Sequence, residues 1–185
     1  IKGIRVKKRE KMIMTTNEKN NMHLTYLKEG SIFFLAYLMP LSVLPAVIWG
    51  GAAYLSTFIL GFVIIPLLDY IVGFEEFTPK KEDDKSRINF KFFNYILWLY
   101  IPVHLTLIYG GIYFIVTSDL ALWEKFVLAL NISIASASIG FTIGHELGHK
   151  ANKFESFLTD LLYQSMNIMH FKLEHNIGHH TNVAT

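Results

Sequence analysis

The chain has 185 residues, of which 52% are hydrophobic, 15% aromatic and only 17% charged, and its formal net charge is +2. This hydrophobic content excludes a disordered chain, and the charged fraction lies well below the ~25% that is usual in soluble domains. No cysteine is present, so disulfides, iron–sulfur clusters, thiolate zinc sites and cysteine nucleophiles are excluded.

The first 30 residues form a polar, basic segment with eight Lys or Arg against three Glu. The apolar run that follows is too long for the core of a signal peptide. The chain begins at Ile1 with Met12 and Met14 close behind, so we expect the natural start at one of these methionines. The last residues carry no capping or tail signal, so we expect a fragment that is open at its C-terminus.

Three long stretches contain no Asp, Glu, Lys or Arg, and they cover residues 31–68, 92–118 and 126–144. A membrane-spanning helix needs ~20 apolar residues, and the first stretch is too long for a single helix. Gly50 and Gly51 near its middle predict a tight turn. We therefore predict an all-α integral membrane bundle with four spans, at about residues 31–49, 52–72, 92–117 and 122–144.

The distribution of positive charge predicts the orientation of these spans. Residues 1–30, 73–91 and 145–185 together hold 16 of the 17 Lys and Arg residues. Because Lys and Arg accumulate on the cytoplasmic side of membrane proteins, all three segments are predicted to be cytoplasmic. The last of them is rich in histidine, and within it residues 157–169 are apolar enough to form a buried or interfacial helix.

Six of the eight histidines fall between residues 145 and 180. His145 and His149 in HELGHK, and His175 and His179 in EHNIGHH, are each four residues apart, with His180 adjacent to the second pair. On a helix this spacing puts two imidazoles on one face, one turn apart, as two ligands of one metal ion must be. Five imidazoles just beyond a membrane span predict a metal site.

The residues alone leave the metal open. HELGH also matches the H-E-x-x-H helix of zinc peptidases, in which Glu146 is the general base and His145, His149 and a third residue bind the ion. The second cluster exceeds what one zinc ion uses and favours a dinuclear site. Neutral nitrogen ligands suit iron as well as zinc, and iron brings redox and O₂ chemistry that zinc lacks.

The pair HELGHK at 145–150 and EHNIGHH at 174–180 resembles the histidine boxes of the integral-membrane alkane monooxygenases, which belong with the membrane fatty acid desaturases and xylene monooxygenases. Desaturases share the histidine spacing but less often the flanking residues. The resemblance extends from about Ile32 onward, through IPLLDYIVG at 65–73, IPVHL at 101–105 and MHFKLEHNIGHHTNVAT at 169–185.

This resemblance implies a six-helix membrane bundle with a non-haem diiron centre that uses O₂ to hydroxylate the terminal methyl group of medium- or long-chain alkanes. It implies that His145, His149, His175, His179 and His180 are iron ligands and that rubredoxin and its reductase supply electrons. The family's other ligands lie further on, in motifs that this chain lacks. Residues 31–185 are therefore expected to be the N-terminal part of a desaturase-like domain, inactive alone, behind a basic cytoplasmic segment at residues 1–30.

Further residues near the boxes are candidates for a supporting role. Glu146, His170 and Glu174 are placed to orient the ligand imidazoles by hydrogen bonds. Carboxylates on a solvated helix surface explain the two Glu equally well, and a direct metal ligand is the alternative for His170. His104 lies within the third predicted span. A lone intramembrane histidine is a functional candidate, here beside the substrate path, and a structural hydrogen bond between helices is the alternative.

Gly61 carries an expectation about substrate length. Aligned on the residues from Pro66 to Asp69, it falls where the family can carry a bulky residue that limits the alkane. The resemblance therefore implies a deeper apolar channel here and acceptance of longer chains. A glycine that serves only helix packing is the alternative.

Two other functions stay open at this stage. One is another histidine-box lipid enzyme, such as a fatty acid desaturase, a xylene monooxygenase or a fatty-acyl hydroxylase. The other is an intramembrane zinc peptidase built on HELGH. For the alkane monooxygenase we expect a multi-pass protein of the bacterial inner membrane, with a soluble electron donor, alkane drawn from the bilayer and membrane lipid as partners, and no nucleic acid.

Overall fold

The computed structural model describes residues 16–73, 91–150 and 152–179. Within them, four helices are long and apolar enough to cross a membrane: α1 (His23–Trp49), α2 (Gly51–Val72), α3 (Phe92–Thr117) and α4 (Leu122–Gly148). Two shorter helices follow, α5 (Lys153–Ser165) and α6 (Met169–Leu173), and α6 continues through a wide helical turn at Glu174–His179. The prediction of an all-α fold with four spans is confirmed. Residues 1–15 and most of the predicted loop at 73–91 lie outside the described residues.

Two glycines make the turn between α1 and α2, as predicted. Gly50 and Gly51 have φ angles of 59° and 53°, a backbone region that residues with a side chain rarely enter. The long helices also contain local irregularities. These are tighter turns at Phe33–Tyr37 and Gly51–Leu55, and wider turns at Leu60–Ile64 in α2 and Thr106–Gly110 in α3.

Helix α4 is central to the bundle, since it packs against α1, α2, α3 and α5. Its N-terminal half contributes Leu128, Ile132 and Ala135 to a hydrophobic cluster with residues of α1 and α2. Its C-terminal half contributes Ile143 and Leu147 to a second cluster, with residues of α3 and α5. Burial of apolar side chains thus fixes both ends of α4. This packing also fixes the position of the side chains in its last turn.

The fourth span is one turn longer than predicted. The prediction ended it at residue 144, whereas α4 continues through Gly148. The reason is packing, because Leu147 is completely buried in the second cluster. Its burial stabilises the additional helical turn. His145 therefore lies within the last turn of α4, and His149 follows directly after it.

The predicted helix at residues 157–169 is present, displaced towards the N-terminus as α5. Leu158, Leu162 and Tyr163 on one of its faces are buried. It ends before Asn167, whose φ of 59° is incompatible with a continuing right-handed helix. In contrast, residues 62–72 of α2 are exposed without interruption, as expected of an apolar surface that faces lipid.

Candidate metal centre

The first histidine pair lies at the C-terminal end of α4. His145 is half-buried in the last turn, and His149 is exposed directly after it. The four-residue spacing brings both rings to one side of the helix, where their Nε2 atoms are 3.1 Å apart. The firm packing of α4 thus presents two ligand atoms next to each other.

His175 reaches the same place from the turn after α6. Its Nε2 lies 2.7 Å from that of His145 and 3.3 Å from that of His149. A triangle with these edges has a circumradius of about 1.8 Å, which is shorter than the usual metal–nitrogen distance of ~2.1 Å. One ion can therefore contact all three nitrogens, and the three residues form a group that can hold a metal.

The ligand atoms favour certain metals. All three are imidazole nitrogens, which suit zinc, copper, iron and nickel more than calcium or magnesium. Three protein ligands leave coordination positions open, as in catalytic rather than closed structural sites. Of the other two predicted ligands, His180 lies outside the described residues, and only the backbone of His179 is described, at the end of the turn that carries His175.

The residues expected to orient the ligands are placed less closely. The Oε1 atom of Glu146 lies 4.0 Å from Nδ1 of His145, beyond hydrogen-bond range, and its side chain is 61% exposed. His170 and Glu174 are also exposed. Neither belongs to the three-histidine group among the described residues.

Aromatic rings support His175, and sequence reasoning missed them. The ring of Phe171 stacks on His175 with centroids 5.1 Å apart and planes 17° apart. Phe171 in turn contacts Phe141 at 4.6 Å and Tyr163 at 5.7 Å between centroids. Burial raises the pKa of Tyr163 to about 12, so this support carries no charge at neutral pH. The four-residue spacing of Phe171 and His175 was the available signal.

An ion pair between the partly exposed Lys150 and the buried Glu155 fixes the chain just after His149. Nζ of Lys150 lies 3.0 Å from Oε1 of Glu155 and donates to Oδ1 of Asn94 at 2.6 Å. Glu155 is only 5% exposed and also accepts from Nε1 of Trp98 at 3.3 Å. This network joins α3 and α5 to the linker that follows α4. Sequence reasoning missed this network, because nothing in the spacing of its four residues links them.

His104, in α3, is completely buried. It does not belong to the three-histidine group among the described residues. Its Nε2 lies 3.0 Å from Oγ of Ser165 at the end of α5. Gly140 lets the ring pack against α4, since a Cβ there would lie 2.5 Å from Cε1 of His104. The structure thus contains the interhelical hydrogen bond that the sequence offered as one alternative, and a role beside the substrate path stays a prediction.

Gly61 lies in the wide turn of α2 and faces α1. A Cβ at this position would lie 3.5 Å from Cε of Met39, in ordinary contact. A separate apolar groove of about 610 Å³ lies between α1, α3 and α4, with Val43, Val103 and Ile132 among its walls. Gly61 borders the side of α1 occupied by Met39 and is not part of this groove's lining within the described chain.

No protein-family model matches the chain. Curated relatives do, and each is named an alkane 1-monooxygenase. The number 1 enzyme of Alcanivorax borkumensis is 30% identical over 75% of this chain and 33% of its own length. The number 2 enzyme of the same organism is 29% identical over 93% of this chain and 47% of its own length. The enzyme of Pseudomonas putida is 29% identical over 66% of this chain and 30% of its own length. The chain therefore spans about a third to a half of the length of these relatives, and the resemblance carried by its histidine boxes is confirmed.

Proposed function

We propose that this chain, a homologue of the alkane 1-monooxygenases, forms part of a membrane enzyme that hydroxylates the terminal methyl group of medium- or long-chain alkanes to give 1-alkanols. The observation that carries the proposal is the convergence of His145, His149 and His175 at the end of an apolar, membrane-length helix. A metal at this place would lie next to the hydrocarbon region and close to water. That position suits an insoluble substrate and a soluble electron donor.

The cofactor in this proposal is a pair of non-haem iron ions. Bound iron would activate O₂ for insertion into an unactivated C–H bond, chemistry that side chains cannot supply. His145, His149 and His175 would hold it through Nε2. His179 and His180 are proposed as additional ligands, together with histidines in the part of the longer protein that corresponds to the rest of its relatives.

The remaining assignments follow from the same proposal. Alkane would enter from the bilayer, with Gly61 and His104 beside its path. Electrons would come from a rubredoxin-type carrier and its reductase on the side of the histidines, which the charge distribution assigns to the cytoplasm of a bacterial inner membrane. Glu146, His170 and Glu174 would orient ligand imidazoles once the centre is complete.

The test uses the full-length protein that contains this chain. Purified protein is analysed for metal, and membranes supplied with rubredoxin, its reductase and NADH are incubated with alkanes under ¹⁸O₂. We expect about two irons per chain and 1-alkanols that contain ¹⁸O. His175→Ala should lower both iron content and product, whereas His23→Ala on α1 is the matched control. Iron-loaded protein that forms no alkanol but desaturates or hydroxylates a fatty acyl chain would replace this function with that of another histidine-box enzyme.

An intramembrane zinc peptidase is the second candidate, because three histidine ligands and a nearby glutamate are also the smallest set of residues that its catalytic site needs. The conservative variant Glu146→Gln separates the two. A peptidase loses its general base and its activity with this change, whereas an oxygenase keeps its metal ligands. One zinc per chain, together with loss of peptide hydrolysis in Glu146→Gln, would overturn the oxygenase.

A further inference from the structure

A second groove, of about 460 Å³, is connected to the candidate metal centre through two aromatic side chains. Its walls come from the middle of α4, from Ile108 of α3 and from the residues that end and follow α5. Phe141 lines this groove and contacts Phe171, the ring that stacks on His175. Two aromatic rings therefore separate the groove from the three histidines.

The groove carries more hydroxyl groups than an alkane site needs. Ser133, Ser136 and Ser165 all line it. Ser133 donates to the carbonyl of Ala129 at 2.8 Å, and Ser165 donates to the carbonyl of Leu162 at 2.6 Å. Their protons are thus engaged within their own helices. The oxygen of Ser133 can still accept, and that of Ser165, which already lies 3.0 Å from Nε2 of His104, retains one further lone pair.

Ser136 is different, because its hydroxyl has no hydrogen-bond partner within the part of the chain that the structure describes. The residue is only 2% exposed. Nearly all buried polar groups in proteins are satisfied, and leaving one unsatisfied is unfavourable, so such an atom beside a groove points to a ligand. A rotation about its Cα–Cβ bond is enough to turn the hydroxyl towards an incoming oxygen.

Apart from Asn167 at one end, the other walls are apolar, and they define the rest of the ligand. Ala137, Phe141 and Met166 flank the hydroxyl groups. A pure alkane would fill this space but leave the Ser136 hydroxyl unsatisfied. A water molecule would satisfy it but leave the apolar walls in contact with solvent. A molecule with one oxygen on a hydrocarbon body matches both parts of the groove.

We propose that this groove binds the hydroxyl end of a primary alkanol, with Ser136 donating to the alcohol oxygen and Ser133 or Ser165 accepting the alcohol proton. The site is argued from the groove alone. A 1-alkanol is also the class of product that the proposed reaction would release, so the groove gives that product a place adjacent to the metal centre. Binding here requires neither iron nor turnover.

Photolabelling of the full-length protein in nanodiscs tests the site without reference to activity. Two probes carry a diazirine at the same carbon of a decyl chain, one ending in a hydroxyl and the other in a methyl group, and peptide mass spectrometry locates the labels. We expect the alcohol probe to label residues 133–141 and 165–168 several-fold more than the alkane probe. Ser136→Ala should reduce labelling by the alcohol about two- to tenfold, the value of one neutral hydrogen bond, and leave the alkane probe unchanged.

Two controls keep the test decisive. Ser138→Ala removes an exposed hydroxyl from the same helix outside the groove, and it should leave both probes unchanged. Ala137→Trp fills the groove and should abolish its labelling by the alcohol. Equal labelling by both probes, an unchanged alcohol signal in Ser136→Ala, or labels only outside the groove would each overturn the proposal. Alkanol formation in the absence of groove labelling would do so while leaving the proposed function intact.

Discussion

His104 donates a hydrogen bond from Nε2 to Oγ of Ser165, across 3.0 Å between α3 and the end of α5. The direction follows from the bonding of Ser165, whose single proton is donated to the carbonyl of Leu162 at 2.6 Å. The imidazole is therefore protonated at Nε2. Its Nδ1 is a buried acceptor without a partner among the described residues.

Ser165→Ala should destabilise the bundle, because it leaves the buried Nε2 proton of His104 without an acceptor. The expected loss is about 1–3 kcal/mol in the free energy of unfolding. Thermal unfolding of the detergent-solubilised protein measures it. Ser138→Ala is the control, since Ser138 is exposed and bonds only to its own helix. Equal melting temperatures for the two variants would contradict the assigned hydrogen bond.

Gly144→Ala and Gly148→Ala should change the free energy of unfolding by different amounts, although both residues lie on α4 and face α5. A Cβ at Gly144 would overlap the buried ring of Tyr163, which has no room to shift. A Cβ at Gly148 would lie 3.5 Å from Cγ2 of Thr159, an ordinary contact. We expect Gly144→Ala to lose roughly 1–3 kcal/mol and Gly148→Ala to be neutral or slightly stabilising. Chemical unfolding of both variants checks this, and equal effects would refute the close approach of α4 and α5.

Lys150→Met should be far more damaging than Lys172→Met. The first change leaves the carboxylate of Glu155, 5% exposed, without its cation, at a cost of about 3 kcal/mol. The second removes the partner of Asp160, whose side chain is 39% exposed, and such pairs contribute under about 1 kcal/mol.

The double variant Lys150→Met/Glu155→Gln should recover part of the stability, because an amide is less unfavourable to bury than an unpaired charge. Melting temperatures of the variants measure these effects. If the melting temperature of Lys150→Met is not below that of Lys172→Met, the ion pair of Lys150 and Glu155 does not fix the linker after α4.

The sequence predicted the parts of this molecule that depend on local pattern. Stretches without charge located the four spans, and a glycine pair located the turn between α1 and α2, because both features act on the chain where they stand. The four-residue spacing of His145 and His149 predicted, for the same reason, that both imidazoles lie on one side of the helix. The length of α4 was underestimated, since it depends on the burial of Leu147 against α3 and α5.

The contacts across the site had no comparable signal. The resemblance implied that His175 joins His145 and His149 at one metal centre, but the order of residues gives no contact distances there. It also does not indicate that Glu155 binds Lys150. Those contacts depend on the path of the chain through α5 and α6, which tertiary packing decides. The aromatic support of His175 had one weak signal, the four-residue spacing from Phe171. It was missed because Phe171 is one of 15 phenylalanines, and composition does not distinguish it from the others.

Gly61→Trp in the full-length enzyme should shift its products towards shorter 1-alkanols. The residue faces Met39, which is 4% exposed between α1 and α2, so an indole there must occupy apolar space between these helices. If that space holds the far end of the substrate, a large side chain shortens the chain that fits. Product distributions from a mixture of alkanes measure the effect. Phe62→Trp, at the next residue and exposed, is the matched control for adding an indole to α2. An unchanged chain-length profile, in a variant that still folds and binds metal, would reduce Gly61 to a helix-packing glycine.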